Sequence, residues 1–164
     1  MPGHLIVFSA PGGVGKDSVI RGLLTTLSDC VRNITTTSRP RRDGEVDGRD
    51  YYFLTTEQFK DKIAAGDFIE YNFFTGNYYG IERNRLNDLL SKHQLIITQA
   101  DINGKQALDR EQIPHLAIFL LPDNLEILRQ RLEKRGSMTP EQIEERLHIA
   151  EIEMRAAPTY DFQI

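Results

Sequence analysis

Ten residues near the N-terminus, Ser9 to Ser18, read SAPGGVGKDS and concentrate the chemistry of this chain. Gly12, Gly13 and Gly15 carry no Cβ, so successive backbone N–H groups can turn toward one point, and Lys16 adds a cation at the end of the run. Such a cradle suits a chain of phosphates. An apolar run, Leu5 to Phe8, precedes it, and Val19, Ile20, Leu23, Leu24 and Leu27 follow at helical spacing. A strand, a glycine-rich turn and a helix are therefore expected in succession, and the unpaired N–H groups of the helix start add to the anion site. The phosphate-contacting candidates are Ala10, Gly12, Gly13, Val14, Gly15, Lys16, Asp17 and Ser18. The full pattern has glycine where Ala10 stands and a hydroxyl residue where Asp17 stands. A carboxylate there repels phosphates unless Mg2+ or an arginine offsets it. The alternative is a turn that only caps a helix, with Asp17 favourable in its first turn.

Two cation clusters also need partners: Arg39, Arg41 and Arg42, and then Arg129, Arg131, Lys134 and Arg135. Guanidinium forks match phosphate oxygens. Arg131 and Arg135 stand at i and i+4 beside the apolar stripe Leu125, Leu128 and Leu132. The loop Gly136 to Thr139 follows, and Arg146 lies on the next helix, so these arginines can close over phosphates as a lid. The competing reading is solvated helix ends, which favour cations at C-termini. His4, His93, His115 and His148 are scattered without ligand spacing, and nothing argues for zinc.

Holding these groups takes one domain of ordinary size, 164 residues with 40% hydrophobic and 27% charged residues. Leu5 to Phe8, Leu95 to Thr98 and Leu116 to Leu121 are short, apolar on both faces and separated by helical stretches. They predict an α/β fold, a parallel sheet covered by helices on both sides. Tyr51 to Leu54 reads as a strand of a small insert over the sheet edge, before a helix starting near Thr56. Further helices fit Glu82 to Leu90, Ile102 to Arg110, Leu125 to Arg135 and Pro140 to Met154, with Thr139 as N-cap of the last. No apolar run approaches the ~20 residues of a membrane helix. A net charge of −4 argues against a nucleic-acid surface. The lone Cys30 makes no internal disulfide, reads as a buried or half-buried filler, and fits the cytoplasm.

Taken with the loop, the runs TTTSRPRRDGEVDGRDYYF (Thr35 to Phe53), GDFIEYNFFTGNYYG (Gly66 to Gly80), ADING (Ala100 to Gly104), RQRLEKRG (Arg129 to Gly136) and ERLHIAEIEM (Glu145 to Met154) resemble guanylate kinase, a P-loop nucleoside monophosphate kinase. They occur in family order over nearly the whole chain. The resemblance implies a single domain over 1–164, with core 1–34 and 93–164, an acceptor-binding insert 35–92 and a lid 135–146. It implies ATP-dependent phosphorylation of GMP or dGMP with Mg2+, in a monomer or homodimer. Thr35, Arg39, Arg42, Tyr51 and Tyr79 would hold the acceptor phosphate, Glu70 the guanine edge, and Asp101 the nucleotide and metal region. Lys16 would hold the ATP phosphates, with Arg131, Arg135 and Arg146 closing from the lid. Physics agrees: guanine offers adjacent N1–H and N2–H donors that one carboxylate accepts in parallel, and adenine does not.

The chain departs from the family at three points. Ile81 stands where a hydroxyl residue is usual, which should weaken base discrimination. Gln99 replaces a carboxylate at a strand end while Asp17 adds one on the loop, so Asp17, with Asp101, is a candidate for the Mg2+ shell. The resemblance implies a further strand and a helix past a TYD-like segment, and neither is expected in the few residues after Tyr160 and Asp161. GKDS and the apolar residue after YYG also resemble ribose 1,5-bisphosphate phosphokinase, an alternative of the same fold. A non-catalytic guanylate-kinase-like binding module is the other alternative.

Overall fold

The computed structural model describes residues 3–74, 76–134, 136 and 138–164. In chain order its first half holds β1 (His4–Ser9), α1 (Lys16–Thr26), β2 (Cys30–Arg32), β3 (Thr36–Thr37), β4 (Tyr52–Phe53), α2 (Thr56–Ala64), β5 (Phe68–Phe74) and β6 (Asn77–Glu82). Its second half holds α3 (Arg83–Lys92), β7 (Leu95–Gln99), α4 (Ile102–Arg110), β8 (His115–Phe119), α5 (Leu125–Lys134), α6 (Pro140–Met154) and β9 (Phe162–Gln163).

The expected parallel sheet is present, in the order β2-β7-β1-β8-β9. Alternation along β1 explains why both its faces are apolar: Leu5 and Val7 join Ile96, Leu108, Leu86 and Ile81 on one side, while Phe8 joins Ile20, Ile97 and Leu120 on the other. Each fully buried aliphatic side chain contributes about 1.5–3 kcal/mol. Cys30 opens β2 and is half-buried against the second cluster, as expected of a filler.

A second sheet, β4-β3-β6-β5, holds the segment expected as an insert. β5 and β6 form an antiparallel hairpin, β3 runs antiparallel to β6, and β4 runs parallel to β3. One face is packed by aromatics: Phe59 of α2 stacks on Phe68 at 4.3 Å and on Tyr78 at 5.3 Å. Behind β3, the buried Glu82 carboxylate accepts from Thr36 Oγ1 at 2.5 Å and Lys62 Nζ at 2.8 Å. These bonds tie β3, β6 and α2 into one body.

Helix boundaries follow capping chemistry. Thr55 and Thr139 each close a capping box, with Gln58 and Gln142 respectively, and Pro140 occupies the first turn of α6. α3 starts one residue after the expected Glu82, because that side chain is drawn to Lys62. Phe162–Gln163 pair with β8, so the beginning of the strand after the TYD-like segment is present.

Candidate active site

The phosphate-loop candidates lie between the C-terminal end of β1 and the start of α1, where ligands bind in open parallel sheets. Gly15, at φ 111°, is the N-cap of α1, and Gly13 has φ 103°. A Cβ on Gly13 would meet Leu128 Cδ1 at 2.9 Å, so the α5/α6 core presses directly on the loop. Lys16 makes no hydrogen bond or ion pair within the described residues. Burial holds its pKa below the ordinary ammonium value, against the opposing charges of Asp17, Glu153 and Asp101. An ammonium placed this way awaits an anion.

Asp17 meets Gln99 directly: Gln99 Nε2 donates to Asp17 Oδ1 at 2.7 Å, and Arg32 Nη2 lies 3.6 Å from the same oxygen. The two departures read from the sequence are thus neighbours. The other Asp17 oxygen has no protein partner within the described residues.

Across the cleft, strand alternation and the register Thr37↔Tyr79 and Asn72↔Tyr79 set Thr35, Tyr51, Glu70, Asn72 and Tyr79 on the face of the second sheet opposite the aromatic packing. Tyr51 and Tyr79 meet edge to face at 6.1 Å, and the Arg39 guanidinium lies over the Tyr51 ring at 5.4 Å. Arg39 also pairs with Glu45 at 2.6 Å, while the Arg42 N–H donates to the other Glu45 oxygen at 2.8 Å. Glu45 therefore ties the Arg39 guanidinium to the backbone at Arg42. Tyr78 is packed against Phe59 and Phe73.

Glu70 sits on this face beside the start of α4. Gly104 permits the approach: a Cβ there would lie 3.2 Å from Glu70 Cδ and 2.9 Å from Ala100 Cβ. Burial, with the Asp101 charge, pushes the Glu70 pKa up to about 7. No hydrogen bond or ion pair reaches its carboxylate among the described residues. Asp101 is the N-cap of α4, accepting from the Gly104 N–H at 2.8 Å and from Asn72 Nδ2 at 2.8 Å. Ile81 is fully buried with Ile69 and Leu86, committed to the core rather than to a ligand.

Arg131 Nη1 donates to the Val14 carbonyl at 2.8 Å, bracing the loop from behind. Arg146 on α6 lies over the Phe74 ring at 5.6 Å and next to Gly12. Arg135 lies outside the described residues. Seven residues beyond Arg146, and so on the same face of α6, Glu153 is half-buried near Lys16. Burial raises its pKa, and the Lys16 charge opposes that rise. Sequence reasoning passed over Arg32, Asn72 and Glu153. Only the period-2 alternation around Glu70 could have signalled Asn72.

An apolar cavity of about 680 Å3, lined by Gly3, Leu90, Leu95, Pro114 and Leu116 among others, opens at the opposite, N-terminal ends of β1, β7 and β8. It lacks the cations a phosphate needs. No group of three or more His, Cys, Asp or Glu among the described residues is placed to cage a metal.

A glycine-rich loop at the end of a parallel strand, faced by a second sheet carrying hydroxyls, arginines and an unpaired carboxylate, defines the P-loop kinase architecture. The chain belongs to the guanylate kinase family, whose model matches residues 3–164. It is 40% identical over 163 residues to the guanylate kinase of Symbiobacterium thermophilum, covering 99% of this chain and 77% of that one. The guanylate kinase of Thermosynechococcus vestitus is 39% identical over 163 residues, covering 99% and 85%. The crystal structure of guanylate kinase from Anaplasma phagocytophilum superposes with a TM-score of 0.76 at 29% identity, over 99% of this chain and 76% of that chain. Shikimate kinase from Bacteroides thetaiotaomicron shares the fold, with a TM-score of 0.55 at 16% identity over 98% of this chain and 85% of that one.

Proposed function

We propose that the chain transfers the γ-phosphoryl group of ATP to the phosphate of GMP or dGMP, releasing ADP and the nucleoside diphosphate. The observation that carries the base assignment is Glu70, a largely buried carboxylate beside Gly104 and Asp101 with no partner among the described residues. Buried acceptors require donors. The parallel N1–H and N2–H of guanine supply two.

An oxygen of the acceptor phosphate attacks the γ-phosphorus, the bond to the β-phosphate oxygen breaks, and that electron pair leaves with ADP. The acceptor is already anionic, so no side-chain base is needed, and catalysis is alignment with charge compensation. Lys16 and the loop N–H groups hold the donor. Thr35, Arg39, Arg42, Tyr51 and Tyr79 hold the acceptor phosphate. Arg131 and Arg146 close over the phosphates from the side of the lid, residues 135–146, and exclude water as a competing acceptor; Arg135, the third arginine expected there, lies outside the described residues. Mg2+ fits as a companion of the nucleotide, since magnesium is commonly held by one or two carboxylates plus phosphates, and it neutralises charge on them. Asp17 would hold it through the oxygen that Gln99 leaves free, and Asp101 through lone pairs beyond its two hydrogen bonds. The partner is a small molecule, in a monomer or homodimer. A reaction that consumes ATP, with a single half-buried thiol, fits the cytoplasm. No helix of the described residues is long and apolar enough to cross a membrane.

A coupled assay for ADP release, with GMP, dGMP, AMP and ribose 1,5-bisphosphate as acceptors, tests this. GMP and dGMP are expected to turn over, with AMP about 100-fold poorer or worse. Preference for ribose 1,5-bisphosphate, or no turnover with GMP, overturns it.

A further inference from the structure

Arg32 belongs to none of the motifs, yet it stands where the two halves of the site meet. It ends β2, the edge strand of the parallel sheet, and its side chain is about a third exposed. Its guanidinium is 3.6 Å from Asp17 on the phosphate loop, and its charge is felt at Lys16, Tyr51 and Asp50. The Asp17 charge likewise reaches Tyr51.

Its present tie is loose. Gln99 already donates to Asp17 Oδ1 at 2.7 Å, and the Arg32 side chain makes no hydrogen bond among the described residues. Five N–H donors are thus uncommitted in a cleft where two phosphate chains are to converge. Arg39, by contrast, is bonded to Glu45, and Arg131 to Val14.

Resting on the kinase reading above, we infer that Arg32 is a catalytic residue: it leaves Asp17 when both nucleotides are bound and contacts the phosphoryl group in transit between them. It adds no covalent step. Its planar fork would bridge oxygens of the transferring group and the acceptor, where charge spreads as the bond to ADP breaks.

The test uses the full chain and a bisubstrate mimic, adenosine and guanosine joined 5′ to 5′ by five phosphates, with ADP and GMP measured singly by calorimetry. In Arg32→Gln, binding of each mononucleotide should change less than about threefold, the mimic should weaken at least about 30-fold, and kcat should fall about 100-fold with both KM values nearly kept. Arg32→Lys should recover part of kcat, because a point charge replaces part of a fork. It also serves as the informative variant if thermal melts show that Arg32→Gln is unfolded. Mimic binding weakened no more than the product of the two single effects, or kcat within threefold, overturns the inference. If instead the unaltered chain neither turns over GMP nor binds the mimic, the kinase reading itself has failed.

Discussion

Replacing Glu70 by Gln should make the ligand-free protein more stable while removing its grip on guanine. The Glu70 pKa rises from 4.5 to about 7 on folding because its carboxylate is buried beside Asp101 without a donor. A shift of this size means that ionising Glu70 opposes folding by about 3 kcal/mol. The sign follows from proton counts. Between pH 4.5 and 7 the folded state keeps a proton that the unfolded chain has lost, so stability falls as pH rises, by about 1.4 kcal/mol per unit, and levels off above 7. Glu70→Gln lacks that slope. Urea titrations of both proteins at pH 5, 6, 7 and 8 should therefore show a difference that grows in favour of the variant and then saturates. The unpaired amide will reduce its absolute size but not its pH dependence. A difference constant across this range would refute the reasoning. The same proton governs binding: at pH 6 about one Glu70 in ten is ionised, so GMP should bind about tenfold more weakly than at pH 8. This change comes on top of whatever Glu70→Gln shows from the phosphate group, which titrates near pH 6.

Lys16→Met should lower kcat/KM by about 100- to 1,000-fold in steady-state assays without lowering the melting temperature, since Lys16 is a largely desolvated cation with no hydrogen bond or ion pair among the described residues. Gly13→Ala forces a side chain into φ 103° and against Leu128 and Leu132; a loss of about 2 kcal/mol by urea titration and weaker ATP binding by calorimetry are expected. Glu82→Ala leaves the buried Thr36 hydroxyl without its acceptor and Lys62, which is part-exposed and keeps Asp67, without its closer partner, and should cost about 1–3 kcal/mol. Burial alone would raise the Glu82 pKa, but bonds from Lys62 and Thr36 and the Arg85 charge hold it below the usual range. Its contribution should thus disappear in the same titration as pH falls through that lowered value.

Parallel strands β1, β7 and β8 were legible because a strand buried on both faces must be apolar at every position. Caps were legible for local reasons: Thr139 and Pro140 define the start of α6 without help from the rest of the chain. β2, β3 and the β5–β6 hairpin were not read as strands. Arg32, Thr36 and Glu70 are polar or charged residues within or beside them, and their burial depends on Asp17, Glu82 and Gly104, which come from distant parts of the chain. The phosphate loop could be read from glycine spacing alone. The contact between Asp17 and Gln99 could not, because residues 82 apart meet only through strand order.

Strand order also dictates a timetable for synthesis. β1 leaves the ribosome first but is the middle strand, and both its neighbours, Leu95–Gln99 and His115–Phe119, come roughly a hundred residues later. At 5–20 residues per second it waits roughly 5 to 20 s as an unpaired apolar ribbon. A nascent chain stalled before Leu95 should therefore be protease-sensitive and bound by chaperones, and one stalled after β8 has fully emerged should be neither.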